Sequence, residues 1–418
     1  MLSPIRFGVS LNSFAHAVLF SLVSLSPGVI FSRDARAQEG TRLADAVAAA
    51  LRANPDIALA RLRADSANAE SRIARALPGL FVASVPQVPY QYSISTPLDI
   101  GPARLFRTRS AAQGVRAARA DQDDAKRQIA FAVRQGFYDV LLGAELREIA
   151  RERRDILGRL LAADSVRLRT GDVAARDVTK TEVELARADA DVARAGAQLH
   201  AARLTLQLLM GSEHPDTAFA LSGRLEFQPM TFSADSLMAL ALVNRPDLRA
   251  AHERVVQSDA SLSQANWAVL PVPVASLVYQ DGVPFSSGSQ FAVGLGVQLP
   301  VFSWYGGERD RSRAGVRAAQ VAEQRLRVQI AAELQTALDA WRSARDLAAR
   351  YEGGLLAKSA AALETARYAN RTGAASLLEL IEAIRTWSDV QSDHATALHD
   401  YWVGVFALDR ASGAELTP

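Results

Sequence analysis

The sequence predicts a mainly α-helical protein with a small β part. Very long antiparallel helices pack in the manner of a coiled coil, four antiparallel strands are contributed to an oligomeric transmembrane β-barrel, and the whole is an internal two-fold duplication. Three observations carry this expectation. From Phe291 to Val301 every second residue is apolar (Phe291, Val293, Leu295, Val297, Leu299, Val301), with Gln290, Ala292, Gly294, Gly296, Gln298 and Pro300 between them. That period belongs to a strand with one greasy face, and its length suits a tilted crossing of a bilayer. Behind it no proline occurs until Pro418, which permits very long helices. Short segments also recur in order through the chain, the mark of tandem duplication.

The recurrences fix the plan of each half. Ala50-Leu51-Arg52-Ala53-Asn54-Pro55-Asp56-Ile57 returns as Ala241-Leu242-Val243-Asn244-Arg245-Pro246-Asp247-Leu248, an offset of 191. Gly114-Val115-Arg116-Ala117-Ala118 returns as Gly315-Val316-Arg317-Ala318-Ala319, and Gln128-Ile129 as Gln329-Ile330, at 201. Arg169-Thr170-Gly171 matches Arg371-Thr372-Gly373 at 202, as Gly211 matches Gly413. The jump from 191 to 201 places a ten-residue difference between the halves in the strand region. Each half therefore reads as helix, two strands, long helix, tip, helix: residues 38–211 for the first and 234–413 for the second. Residues 212–233, with Pro215 and Pro229, link them, and 414–418 form a tail.

In the second half the strands fall at about 272–302, Pro273, Ala275, Leu277 and Tyr279 alternating before the polar loop Asp281–Ser289. In the first they fall at about 80–100, where Tyr90, Tyr92, Ile94, Thr96, Leu98 and Ile100 form the greasy face. Pro86 and Pro89 would remove ladder donors, so the strand ahead of Tyr90 is expected to be short. Pro102 opens a helix that Gly171 closes, and at 1.5 Å per residue the span 102–170 is on the order of 100 Å. Helices at 43–77 and 172–210 are each about half that length and would stack beside it. In the second half the long helix is expected over 305–370 and its partner over 374–411. Ile330, Leu334, Ala337, Trp341, Ala344, Ala348, Tyr351 and Leu355 step by threes and fours, a supercoiling seam.

Composition narrows the function. The net charge is +2 from 47 basic and 45 acidic residues, so nothing argues for nucleic acid as a partner. With no cysteine there are no disulfides, thiolate metal sites or lipidated cysteine. His200, His214, His252, His394 and His399 follow no ligand spacing, Gly294-x-Gly296 lies inside a strand, and no carboxylates pair, so neither an enzyme nor a cofactor or metal is expected. The N-terminus reads as a secretory leader: Arg6, an apolar run from Phe14 to Ile30, and Ala35-Arg36-Ala37, with cleavage between Ala37 and Gln38. The apolar run is short and holds Pro27, which argues against a membrane anchor.

Asn54-Pro55-Asp56, the junction Leu299-Pro300-Val301-Phe302-Ser303-Trp304-Tyr305-Gly306-Gly307-Glu308-Arg309, and the two Arg-Thr-Gly tips stand in the order and spacing of a known family. The chain resembles the TolC-like outer-membrane efflux proteins from about Thr41 to Gly413, most closely the heavy-metal and drug efflux branch. The resemblance implies a homotrimer sharing one barrel in outer-membrane lipid, with a helical tunnel across the periplasm. It implies a passive duct for an inner-membrane pump and a periplasmic adaptor, in an efflux or type I secretion system. The tips Arg169, Thr170, Gly171 and Arg371, Thr372, Gly373 would dock the adaptor, or serve simply as helix-hairpin turns. Asp172 and Asp177 would lie near the tunnel's closed end as candidate gate residues, or be ordinary solvated or capping aspartates. Tyr279, Phe302, Trp304 and Tyr305 suit a membrane-interface girdle, or are simple packing residues.

Physics supports one part independently. Four strands are too few to close a barrel, and a sheet edge left open in lipid costs several kcal/mol per unpaired group. Oligomerisation is therefore required if the strands lie in a membrane, although the number three comes from the resemblance alone. A soluble periplasmic coiled-coil scaffold would explain the helices but not the duplicated greasy strands.

Overall fold

A computed structural model describes residues 40–86, 90–216, 219–281, 288–297, 299 and 304–416. The leader, the cleavage point between Ala37 and Gln38, and Phe302 lie outside the described residues. The elements run α1 (Leu43–Ala53), α2 (Pro55–Arg75), β1 (Phe81–Val85), β2 (Tyr90–Pro97), α3 (Pro102–Thr170) and α4 (Ala175–Leu209). The second repeat supplies α5 (Ala234–Asn244), α6 (Pro246–Trp267), β3 (Pro273–Asp281), β4 (Gln290–Val297), α7 (Gly306–Arg350), a kink (Tyr351–Leu355), α8 (Leu356–Arg371) and α9 (Leu377–Ser412).

The first helix of each repeat is not one rod, as the span 43–77 had implied, but two. Pro55 and Pro246 each occupy the first turn of a new helix, where a missing N–H does no harm. The residue before each proline is held extended, which breaks the preceding helix. Both breaks are tied to the end of their own repeat. Asn54 donates to the Leu209 carbonyl at 2.8 Å and accepts from the Asp56 amide. The buried Arg245 donates to the Ala411 carbonyl at 3.2 Å and pairs with Asp247 at 2.6 Å and Glu333 at 2.9 Å.

Helix α3 is 69 residues long and unbroken, and it packs along α2, α4, α6 and α9. The main core lies at mid-length, where Val133 and Phe137 of α3, Leu206 of α4, Trp341 of α7 and Tyr401 and Val405 of α9 meet. Segment 212–233 is no free tether, because it lies against that core. Trp402 Nε1 donates to the Glu226 carbonyl at 2.8 Å, and the Tyr401 hydroxyl to that of Gln228. Phe227 packs edge-on against Tyr401, and Phe232 against Trp341.

The expected second long helix, 305–370, differs from the structure. It is interrupted at Tyr351–Leu355, where Gly354 takes φ 121°. The predicted seam fails at the same place: Leu355 is exposed, and Leu356 packs against Tyr351's cluster instead.

Candidate functional site: an apolar sheet above paired helix tips

The four strands form one antiparallel sheet in the order β1-β2-β3-β4, so the hairpins of the two repeats join edge to edge through β2 and β3. Register sorts its two faces. On one, Val82, Ile94, Leu277 and Val293 line up across the strands, as do Tyr92, Tyr279 and Phe291. On the other, Ser95, Ser276 and Gly294 form one row and Gln91, Gln280 and Gln290 another. Among the described residues nothing packs over the apolar face, and Val293 is 87% exposed. A water-soluble protein does not leave such a face open, whereas lipid covers it without cost. Eight-residue strands span about 27 Å along their length, close to the apolar band of a bilayer. Among the described residues, β1 and β4 each pair on one side only.

Tyr279 lies at the loop end of the sheet, its ring centroid 5.0 Å from Phe291 and 6.2 Å from Tyr92. Trp304 and Tyr305 lie at the opposite end, where the chain enters α7, with φ of 47° and 53°. Left-handed backbone at two successive bulky residues is rare and turns the chain sharply from strand to helix. Of the sequence-predicted aromatics, Tyr279 thus sits at one end of the sheet and Trp304 and Tyr305 at the other.

At the far end of the helices the two tips share one turn. The Gly171 amide bonds the Leu168 carbonyl at 3.2 Å and the Asp172 amide that of Arg167 at 2.9 Å. At the second tip Gly373 bonds Asn370 at 3.2 Å and Ala374 bonds Ala369 at 2.8 Å. Both glycines are left-handed, φ 83° and 77°, which completes the same helix-ending motif twice. Arg169 and Arg371 are the last basic residues of α3 and α8, and Thr170 and Thr372 turn their hydroxyls back onto their own helices. Asp172 stays local, 2.7 Å from the Thr170 hydroxyl. Asp177 sits in the first turn of α4, where the exposed amides favour a carboxylate, with Lys180 at 3.5 Å.

The tips are also joined to each other. Arg167 donates to the Arg371 carbonyl at 3.2 Å. Higher up, Arg385 of α9 reaches Glu184 of α4 at 2.6 Å, with Arg187 at 3.0 Å and Arg153 of α3 at 3.8 Å. The Arg385 hydrogen bond, set against burial and helped by the other arginines, holds the Glu184 carboxyl below its usual range. Asp164 is buried beside Thr181, and burial pushes its pKa up. An open groove of about 430 Å³ runs between α3 and α8 there, lined by Arg159, Asp164, Arg167, Arg367 and Arg371. Sequence reading missed Glu184. Its signal was a carboxylate where the buried steps Val178, Thr181, Glu184 and Ala188 call for an apolar side chain.

His399 is held between Asp139 at 2.8 Å and Asp400 at 2.9 Å. Burial pulls its pKa down, but the two carboxylates outweigh that and hold it above the ordinary value. This is an ion-paired histidine. Among the described residues no three His, Asp or Glu side chains are placed to hold a metal ion, and no helix is long and apolar enough to cross a membrane.

The model of the family described as outer membrane efflux protein matches residues 79–212 and 237–414, most of the chain. The chain belongs to the outer membrane efflux protein family. It is 24% identical over 325 residues to the cobalt-zinc-cadmium resistance protein CzcC of Cupriavidus metallidurans, covering 77% of this chain and 76% of that one. Among solved structures it resembles the CmeC outer membrane channel of Campylobacter jejuni, at 16% identity with a TM-score of 0.78 over 90% of this chain and 87% of that one. It also resembles the open-state MtrE channel of Neisseria gonorrhoeae, at 20% identity with a TM-score of 0.76 over 90% and 89%. CusC, whose structures describe transmembrane channel formation, gives 19%, 0.75, 89% and 92%. This outer membrane efflux protein accordingly sits with its strands in the outer membrane and its helices in the periplasm, and acts as a channel. The family is one of transport proteins rather than enzymes.

Proposed function

We propose that this efflux protein is the passive exit duct of a tripartite assembly, working as a homotrimer with a periplasmic adaptor and an energised inner-membrane pump. The observation that carries the reading is the open four-stranded sheet, apolar on one face and unpaired at β1 and β4 among the described residues. In lipid those edges must find partners, and identical copies supply them head to tail, β4 of one against β1 of the next. Three copies make a ring of twelve strands, an even number within the range of outer-membrane barrels. Tyr279 at one rim, and Trp304 and Tyr305 at the other, then form the interfacial girdles. The tips Arg169-Thr170-Gly171 and Arg371-Thr372-Gly373 dock the adaptor, and Asp172 and Asp177 face the narrowing mouth. The likeness to CzcC makes divalent heavy-metal cations the first cargo to test.

Fractionation tests the reading. The protein is expected to stay in membranes through a high-salt wash and to leave only in detergent, at three times the chain mass. Release by salt as a monomer would overturn it and favour a soluble scaffold.

A further inference from the structure

The positive charge of the chain is concentrated where the helices leave the sheet. Residues 61–75, 99–119 and 306–317 hold thirteen arginines against five carboxylates, a net +8 in a chain of +2, so all other residues together carry −6. These segments are the end of α2 and the starts of α3 and α7, the helices joined to β1, β2 and β4. At 1.5 Å per residue they form a collar on the order of 25 Å deep beneath the sheet.

Four of those arginines share one groove. Between α2 and α3 an open cleft of about 810 Å³ is lined by Arg72, Arg75, Arg116 and Arg119, with Asp65 its one carboxylate. Arg119 donates to the Asn68 side chain at 3.3 Å. Arg72, Arg75 and Arg116 are exposed, and their guanidinium groups make no hydrogen bond or ion pair among the described residues. Guanidinium groups gathered in this way repel one another unless an anion lies between them, and a phosphodiester accepts paired N–H bonds from such forks. The walls are fixed in advance. Arg104 donates to the Arg75 carbonyl at 2.7 Å and Arg107 to that of Ala74 at 3.1 Å, which pins the end of α2 to α3.

Apolar side chains stand beside the arginines. Ile73, Leu77 and Leu105 are 72%, 68% and 64% exposed, and so is Ile100, where β2 runs on towards α3. Eight-residue strands tilted by about 40° rise only about 20 Å, less than an apolar band of about 25 Å, so lipid reaches past the sheet onto these residues. A soluble polyanion gains nothing from that apolar border, whereas a phospholipid matches both the charge and the grease.

We propose that the α2–α3 groove binds the phosphate headgroup of an anionic phospholipid from the periplasmic leaflet, with its acyl chains against Ile73, Leu77 and Leu105. The headgroup lies between Arg72, Arg75 and Arg116, and Arg119 closes the far end. The site fastens the helical body to the membrane above it, in a chain with no cysteine to carry a lipid of its own. It rests on the placement of the strands in the outer membrane and needs neither a particular cargo nor a particular number of copies.

Native mass spectrometry of the detergent-extracted, full-length protein tests the site. Dioleoyl phosphatidylglycerol and dioleoyl phosphatidylcholine share their acyl chains and differ in headgroup charge, and the anionic lipid is expected to bind about tenfold more tightly or better. Arg72→Gln combined with Arg116→Gln should remove that preference, while Arg52→Gln combined with Arg249→Gln, exposed arginines that do not line the groove, should keep it. Equal binding of the two lipids by the unmodified protein, the result expected if a neighbouring copy covers the groove, overturns the site without any variant. An equal loss in both double variants also overturns it, because the preference would then follow net charge alone. Inorganic phosphate in millimolar excess should leave phosphatidylglycerol bound, and its displacement would make the groove a site for soluble anions and overturn the lipid assignment.

Discussion

Gln207 in the first repeat and Asp409 in the second occupy equivalent positions, 202 residues apart, and do the same job with different chemistry. Each is buried near the end of its repeat's last helix and captures the chain beyond it. Gln207 accepts from the Asp216 amide at 2.6 Å, and Asp409 from the Leu416 amide at 3.0 Å. The neutral amide titrates nowhere. The carboxylate is pushed by burial to about 6, even though the Leu416 amide and Arg134 favour its charged form. The same divergence recurs at the helix breaks, where Asn54 faces Arg245, and in the long helices, where unbroken α3 faces interrupted α7–α8. The two halves place their backbone turns at equivalent positions and satisfy those turns with different side chains.

Four changes probe how far the repeats, and the faces within them, are equivalent. The largest effect is expected from the two faces of the sheet. Val293→Arg, on the apolar face, should cost about 2–4 kcal/mol and empty the membrane fraction of trimer, while Ser276→Arg on the polar face should leave it populated, as gel mobility before and after heating would show. Next comes Asp409→Asn. Its folded value of about 6 lies above the unfolded 3.8, so the folded state holds the extra proton and stability falls as pH rises between those values. That fall is about 3 kcal/mol, and the variant, made neutral like Gln207, should lose it in denaturation midpoints recorded from pH 4 to 7.

Gly171→Val and Gly373→Val force a β-branched residue into left-handed backbone at about 1–2 kcal/mol each, with no clash, because open space surrounds both sites. The double variant should abolish efflux, measured as metal tolerance of the host, while the oligomer stays in the membrane. Unchanged efflux would remove the tips from docking, and a defect from only one single variant would show that the tips are not equivalent. Smallest is Arg385→Ala, about 1–2 kcal/mol because the arginine is a third exposed. Glu184 is held below its usual range, so the stability it contributes is present above the unfolded value of 4.5 and lost as pH falls through the depressed one. The variant should flatten that acid limb in unfolding curves of the lower helices.

Much of this was legible because backbone geometry writes itself into local sequence. Period-two alternation marked the strands, Pro102 and Gly171 bounded the long helix, and the paired Arg-Thr-Gly motifs located both tips. The helix break at Pro55 was visible as proline, yet the span 43–77 ran through it, since a proline alone does not say whether a separate helix precedes it. The kink at Tyr351–Leu355 was present in the offsets as a single residue, 201 against 202, yet a seam stepping by threes and fours absorbs one residue without looking broken, and so Leu355 was assigned to it. Glu184 with Arg385 and Asn54 with Leu209 were not legible, because pairs from different helices meet only when the whole bundle sets their heights.

The pairing of β4 with β1 between copies is open to direct measurement, because the chain brings no cysteine of its own. Single cysteines placed along β1, each combined with one along β4, can be oxidised in intact outer membranes and separated on denaturing gels. At the paired register, bands of two and three chains are expected, with nothing larger, since a closed ring of three stops there. Only uncrosslinked or internally linked single chains at every register would contradict a shared barrel.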